Sequence, residues 1–224
     1  MKVRLISKST SPETLEFEGM KNAQDIVAYC ARVSNPSNQI NTETSERLIR
    51  YLVKHQHWSP LEMVNACLEI ETTRDIAHQI VRHRSFAFQE FSQRYANPEE
   101  QGDMFEYSEA RLQDTKNRQN SIETSDVGLQ SWWDAQQKYV AEISKKIYDE
   151  ALEKGIAKEQ ARKVLPEGLT KTKLYMNGSL RSWIHYIELR SANGTQKEHM
   201  EIAHACAKVI AGIFPLMSEL QQGE

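Results

Sequence analysis

The chain has 224 residues and a mass of 25.9 kDa, enough for one sizeable domain or two small ones. Lys and Arg number 28 against 31 Asp and Glu, and the net charge of -3 excludes a surface that is a nucleic-acid footprint throughout. With only 9 Gly and 6 Pro the collagen-like and low-complexity classes are excluded as well, while 4 Trp, 8 Tyr and 6 Phe supply large side chains for a core.

No apolar run approaches the roughly 18 residues of a membrane span. The opening MKVRLISKSTSPE has neither the apolar stretch nor the small-residue cleavage site of a secretory signal. Cys30, Cys67 and Cys206 are odd in number and far apart, which argues against a disulfide framework. The expectation is a soluble protein of a reducing, cytoplasmic compartment.

In chain order, Val3-Arg4-Leu5-Ile6 predicts a short strand. Ala23, Ile26, Val27 and Cys30 fall at helical spacing behind Asn22 as cap, and Asn35-Pro36-Ser37-Asn38 signals a loop. A second helix carries Leu48, Ile49, Leu52 and Val53 on one face. Past Trp58-Ser59-Pro60, residues 63–71 alternate, with Val64, Ala66, Leu68 and Ile70 on one side: a half-buried strand. The period returns to helical at Ile76, Ala77, Ile80 and Val81 and ends at Arg82-His83-Arg84. Residues 97–125 are polar and read as irregular, mobile surface. A long helix is predicted over 132–153, with Val140, Ile143 and Ile147 inward and Gly155 ending it. A short helical piece at 158–164 stops before Pro166, then 171–176 reads as strand and 180–189 as helix. Thr195, with Glu198 three residues on, is the expected cap of a last helix over 196–220, broken near Pro215. With no repeat and no linker, the chain reads as one α+β (mixed α/β) domain, residues 1–224, rich in helix.

The densest chemistry lies in Arg82-His83-Arg84-Ser85-Phe86-Ala87-Phe88-Gln89-Glu90-Phe91-Ser92-Gln93-Arg94-Tyr95. Guanidinium groups bind carboxylate or phosphate bidentately, so clustered arginines on an acidic chain point to an anionic ligand. Phe86, Phe88 and Tyr95 offer rings for stacking on a flat ligand. The plainer reading is that cations at a helix C-terminus complement its dipole and the aromatics are core.

The continuation decides between them. Arg-His-Arg, seven residues, then Ser-x-Arg is the signature of the flavin-dependent thymidylate synthases (ThyX), and this sequence carries it in full. Three further segments resemble that family in the same order: His57-Trp58-Ser59-Pro60-Leu61-Glu62, Ala161-Arg162-Lys163-Val164-Leu165-Pro166 and Arg181-Ser182-Trp183-Ile184-His185-Tyr186-Ile187-Glu188-Leu189-Arg190. Two departures stand out. Met63 replaces a second His, and Asn177-Gly178-Ser179-Leu180 is longer than the usual stretch.

The resemblance implies an antiparallel sheet flanked by helices, assembled as a homotetramer whose sites are shared between subunits. It implies reductive methylation of dUMP to dTMP, with methylenetetrahydrofolate as carbon donor, FAD as redox cofactor and NADPH as reductant. Carried over residue by residue, Ser59, Arg82, His83, Arg84, Glu90, Ser179, Arg181 and His185 would hold FAD. Gln79, Ile80, Val81, Arg82, Glu90, Phe91, Ser92, Gln93, Arg94, Arg162 and Arg190 would hold dUMP. His57 would lie near flavin or folate.

Carbon 5 of uracil is a poor nucleophile until electron density is pushed onto it. None of the three cysteines has a basic neighbour in sequence to lower its pKa, so each reads as a buried spectator. Arg190 is the catalytic candidate: a permanent cation cannot be a base, but it stabilises negative charge developing across the pyrimidine. Whether the carbon passes directly from folate or rides on the flavin is open at this level. Ser92 as a nucleophile would need a positioned base that the spacing does not supply. No metal is expected: His55-x-His57 lacks a completing ligand set, and His199 and His204 do not share a helical face. Neither a Gly-x-Gly-x-x-Gly turn nor a P-loop occurs. Two other readings of the 82–95 segment are a nucleic-acid stacking platform and a flavin-binding protein without synthase chemistry. The net charge speaks against the first, so no stable nucleic-acid partner is expected. The phosphate-binding arginines speak against the second.

Overall fold

The alternation from Ala66 to Ile70 becomes the central feature of an antiparallel sheet. The computed structural model describes residues 2–13 and 19–220. Its strands are β1 (Lys2–Lys8), β2 (Asn65–Thr73), β3 (Ala87–Glu90), β4 (Arg111–Gln113), β5 (Ser121–Glu123) and β6 (Lys171–Ser179). Its helices are α1 (Ala23–Ala31), α2 (Ser45–Lys54), α3 (Arg74–Ile80), α4 (Val127–Glu153), α5 (Lys158–Ala161), α6 (Leu180–Ser191), α7 (Lys197–Ala211) and α8 (Met217–Leu220). The main sheet runs in the order β1-β2-β6-β3, every neighbour antiparallel, and β4 and β5 form a separate hairpin.

Period two in the sequence separates the two faces of this sheet. Ala66, Leu68 and Ile70 of β2 and Leu174 and Met176 of β6 are buried with Ile76 and Ile80 of α3, Trp183 and Ile187 of α6 and Ile202, Cys206 and Ile210 of α7. Val27 of α1 and Ile49 of α2 close the same cluster. The Trp183 indole also donates to the Ala66 carbonyl (3.1 Å), so its one polar atom is satisfied inside the core. The opposite face is charged. There Glu69 is buried and receives Arg4 through Nε (2.6 Å) and a second guanidinium nitrogen (3.0 Å). The Arg4 bond holds that carboxylate below its usual range.

The helix ends follow local chemistry. Asn22 caps α1, accepting from Gln24 N (2.8 Å) and Asp25 N (3.1 Å). Gly155, at φ 79°, ends α4, and Pro215 separates α7 from α8. Thr195, by contrast, does not cap α7. The chain turns at Gly194 (φ 93°), the cap position falls to Gln196, and the Thr195 hydroxyl reaches back to the Leu189 carbonyl (3.4 Å). A carbonyl left open at the end of α6 takes the group expected to cap α7.

Two expectations for the middle of the chain are overturned. Residues 97–125 are not irregular throughout: they hold a turn, Pro98–Gln101, closed by an Asn97–Glu100 capping box, and the β4–β5 hairpin. Two glutamines seven apart on α4 fasten this segment. Gln137 accepts from Ser108 N (3.0 Å) and donates to Ser108 O (2.8 Å); Gln130 does the same for Ala110 N (2.8 Å) and O (2.9 Å). Each amide replaces a strand neighbour for one residue of extended backbone.

The second correction concerns α4 itself. Val140, Ile143 and Ile147 do not face inward but are 44%, 40% and 45% exposed. The inward face is Gln137, Ala141, Ser144 and Tyr148, and Tyr148 joins Met104 and Ala161 in a small second cluster. Both stripes have helical spacing, and the surface they meet, 104–110 and α5, asks for amides and small residues on the inner one. Among the described residues no helix is long and apolar enough to cross a membrane.

Candidate active site

Helix α6 carries the site on two adjacent faces. Arg181 and His185, four apart, meet the turn Ser59–Met63: Arg181 pairs with Glu62, and the His185 ring lies edge-on to Trp58 (centroids 4.5 Å, 84°). Ser59 opens that turn and is exposed. Ser179 is the cap of α6, its hydroxyl accepting from Ser182 N (3.3 Å). The residues assigned to the cofactor from 59 and from 179–185 therefore adjoin one another.

The neighbouring face of α6 presents Tyr186 and Arg190 to the segment after α3. Arg190 Nε donates to His83 Nε2 (2.9 Å), and the His83 ring stands edge-on to Tyr186 (4.9 Å, 85°). Burial, then the Arg190 charge, push His83 down to about 4, so at neutral pH it is an uncharged acceptor. The same two causes, in that order, push His199 of α7 down to about 3. The 82–86 segment is tied to α6 by Ser182 Oγ donating to Ser85 O (3.1 Å). Phe86 packs edge-on against Trp183 (4.9 Å) and Phe88 joins it in the core periphery, so these rings are core and not stacking platforms. Tyr95 is 76% exposed, and the Arg94 guanidinium lies over its ring (5.8 Å).

Gln79 lies one turn before Arg82 and bonds to Gln196 (2.7 Å) and His199 (3.3 Å). Ile80 is buried in the core, with its carbonyl accepting from His83 N (3.1 Å), and Val81 ends α3. Only backbone atoms of Ile80 remain for a ligand. Glu90, on β3, already receives Thr172 Oγ1 (2.9 Å) and Arg74 (3.3 Å). Phe91 continues the sheet through N to Lys173 O (2.8 Å), and Ser92 begins a tight turn that bonds Tyr95 N (3.1 Å). Gln93 is buried, and its Nε2 has no partner within the described chain. Arg94 pairs with Glu159 of α5 (3.4 Å), which places the 92–95 turn beside Arg162.

Some expected residues are thus joined directly, and others are not. His83 with Arg190, and the 59–62 turn with Arg181 and His185, are in contact. Among the described residues no side-chain bond joins the Arg94–Glu159 pair to the Arg190–His83 pair. Arg82 and Arg84 are exposed and pair with no carboxylate among the described residues. Arg82 and Arg84, on the segment that Ser182 ties to α6, and the Ser59–Met63 turn with Arg181 and His185 together offer the kind of donors that the pyrophosphate and ring edge of a dinucleotide cofactor take. No cluster of three metal-ligating side chains occurs among the described residues.

None of the cysteines is poised as a thiolate. Cys206 is fully buried, but Cys30 and Cys67 are only partly so, less hidden than expected. Burial raises all three thiols. Sequence reasoning missed Tyr186, Gln196 and the role of His199. The only available signal was His199 standing three residues before Ile202, on the apolar stripe of α7.

A family profile described as thymidylate synthase complementing protein matches residues 17–216. A probable flavin-dependent thymidylate synthase of Paramecium bursaria Chlorella virus 1 is 50% identical over 202 residues, 90% of this chain and 92% of the relative. A flavin-dependent thymidylate synthase of Synechocystis is 49% identical over 218 residues, 97% and 98% of the two chains. A solved structure, the UMP/dUMP methylase PolB of Streptomyces cacaoi bound with 5-Br dUMP, superposes with TM-score 0.79 over 98% of this chain and 93% of that one, at 24% identity. The paired motifs that meet at α6 are therefore those of a shared fold, and the chain belongs to the family of flavin-dependent thymidylate synthases.

Proposed function

We propose that the protein makes dTMP by reductive methylation of dUMP, with FAD, methylenetetrahydrofolate as carbon donor and NADPH as reductant. The whole chain acts as one catalytic domain, and four copies share their sites. The observation that carries this reading is the Arg190–His83 bond at 2.9 Å. Using Nε on a neutral imidazole leaves the two terminal nitrogens of Arg190 free to face a pyrimidine, with the positive charge fixed in place.

A fixed cation against N3 and the neighbouring carbonyls stabilises the negative charge that makes carbon 5 nucleophilic, so no thiolate needs to add at carbon 6. Bound flavin, once reduced, supplies the hydride equivalent. Arg82, Arg84, Arg181 and His185 would hold and orient the cofactor, with Ser59, His83, Glu90 and Ser179 around it. Ser92, Arg94 and Arg162 would take the nucleotide phosphate, with Gln79 to Arg82, Glu90 to Gln93 and Arg190 completing the pocket. By the family resemblance, Arg94 and Arg162 of one subunit would serve the same nucleotide as Arg190 of another. The exposed apolar stripe of α4 supports such an assembly.

The test uses the purified protein. A flavin spectrum that bleaches with NADPH, and dTMP formed from dUMP and methylenetetrahydrofolate, are the expected results. A trapped thioether between uracil and Cys30, Cys67 or Cys206 would overturn the proposal.

A further inference from the structure

One chain of hydrogen bonds crosses the interior behind the site, and its direction is dictated at one end. Glu198, ion-paired with Arg111 at 2.5 Å, is a carboxylate and can only accept. Gln196 must therefore turn its Nε2 to Glu198 (3.1 Å), which leaves its Oε1 for Gln79. Gln79 answers with its own Nε2 (2.7 Å), so its Oε1 faces His199 Nδ1 (3.3 Å). The Nδ1 of His199 must then carry the proton. Its Nε2 is bare and accepts from the Tyr186 hydroxyl (3.1 Å). Every member has one permitted orientation. Reversing any amide sets donor against donor or acceptor against acceptor, a cost that the full burial of His199 keeps high.

We propose that His199 is a positioning residue of the nucleotide site: as the Nδ1–H tautomer it holds, from the side opposite Gln196, the Gln79 amide in the orientation that dUMP binds. This rests on the assignment of Gln79 to dUMP above. With His199 and Gln196 each taking one bond, Gln79 keeps one N–H and one lone pair in fixed places for the ligand. His199 stays neutral because burial and, after it, the Arg190 charge oppose its protonation, and a second proton at Nε2 would evict the Tyr186 donor.

The amide side chains of Asn and Gln separate the two ring nitrogens. In His199→Asn the amide nitrogen sits where Nδ1 was and keeps a donor for Gln79, whereas His199→Leu has none. Equilibrium dialysis of dUMP against the flavin-loaded proteins reads the result. His199→Leu should raise the dissociation constant about tenfold, the scale of one hydrogen bond. His199→Asn should return it to within about twofold of wild type by the same accounting. Both variants should keep their flavin. Nitrogen NMR of histidine-labelled wild type should show His199 as the Nδ1–H tautomer at neutral pH. Equal dUMP affinity in His199→Leu and wild type, or an Nε2–H tautomer, overturns the inference alone. Failure of wild type to bind dUMP overturns the functional reading and carries the inference with it. Should His199→Leu fail to fold, the tautomer still decides.

Discussion

At the scale of single residues, Arg190 joins two requirements that usually conflict. A guanidinium aimed at a substrate must be rigid, yet a partner carboxylate would cancel its charge. A neutral imidazole holds it without neutralising it, and His83 is kept neutral by burial and by Arg190 itself. Arg190→Ala should lower kcat for dTMP by about 10²–10³-fold, the usual loss of one transition-state donor, while flavin content is unchanged. Turnover assays beside absorbance spectra check this. Acid stability follows from the same groups. His83 and His199 titrate near 6.5 when unfolded but at about 4 and about 3 when folded. The unfolded chain then binds more protons between those values, so stability present above pH 6.5 is lost as pH falls toward 4. Thermal midpoints measured from pH 7.5 to 4.5 should drop less steeply for His199→Asn than for wild type.

At the scale of elements, the junction of β6 with α6 is the most constrained part of the site. Gly178 pairs with Ala66 across the sheet, and a Cβ there would meet the Phe86 ring at 2.5 Å. That ring is itself held against Trp183 and cannot retreat freely. Gly178→Ala should destabilise the protein by about 1–3 kcal/mol, the range for overpacking, measured by urea unfolding, and should displace the segment that carries Arg84. The Asn177-Gly178-Ser179 stretch that looked overlong in sequence is the end of β6, which runs on to Ser179 and delivers it as the cap of α6. Most other elements were legible because each buries one face: β2 and α3 follow their alternation and stripe within a residue or two. The α4 face was not legible, since two stripes compete and hydrophobicity alone favours the one that turns outward.

At the scale of the whole molecule, that outward stripe is the main unpartnered apolar surface of α4. Val140, Ile143 and Ile147 continue from Trp132 and Trp133, all exposed along one long helix. Ile143→Glu should shift the proposed tetramer toward smaller species in light scattering. Because the proposed site is shared between subunits, dTMP formation should fall with it. An unchanged tetramer would place the interface elsewhere.

The sequence by itself determined most helices, the strands β1, β2 and β6, and the class of chemistry. Those depend on periodicity, caps and the spacing of charged side chains along the chain, all local properties. Tertiary structure alone decided that His83 accepts from Arg190, 107 residues apart, and that His199, Gln79 and Gln196 share one polar chain. Such contacts form where separate helices cross beneath a sheet, and a buried polar atom finds its partner by position in space, with no trace in the spacing of the sequence.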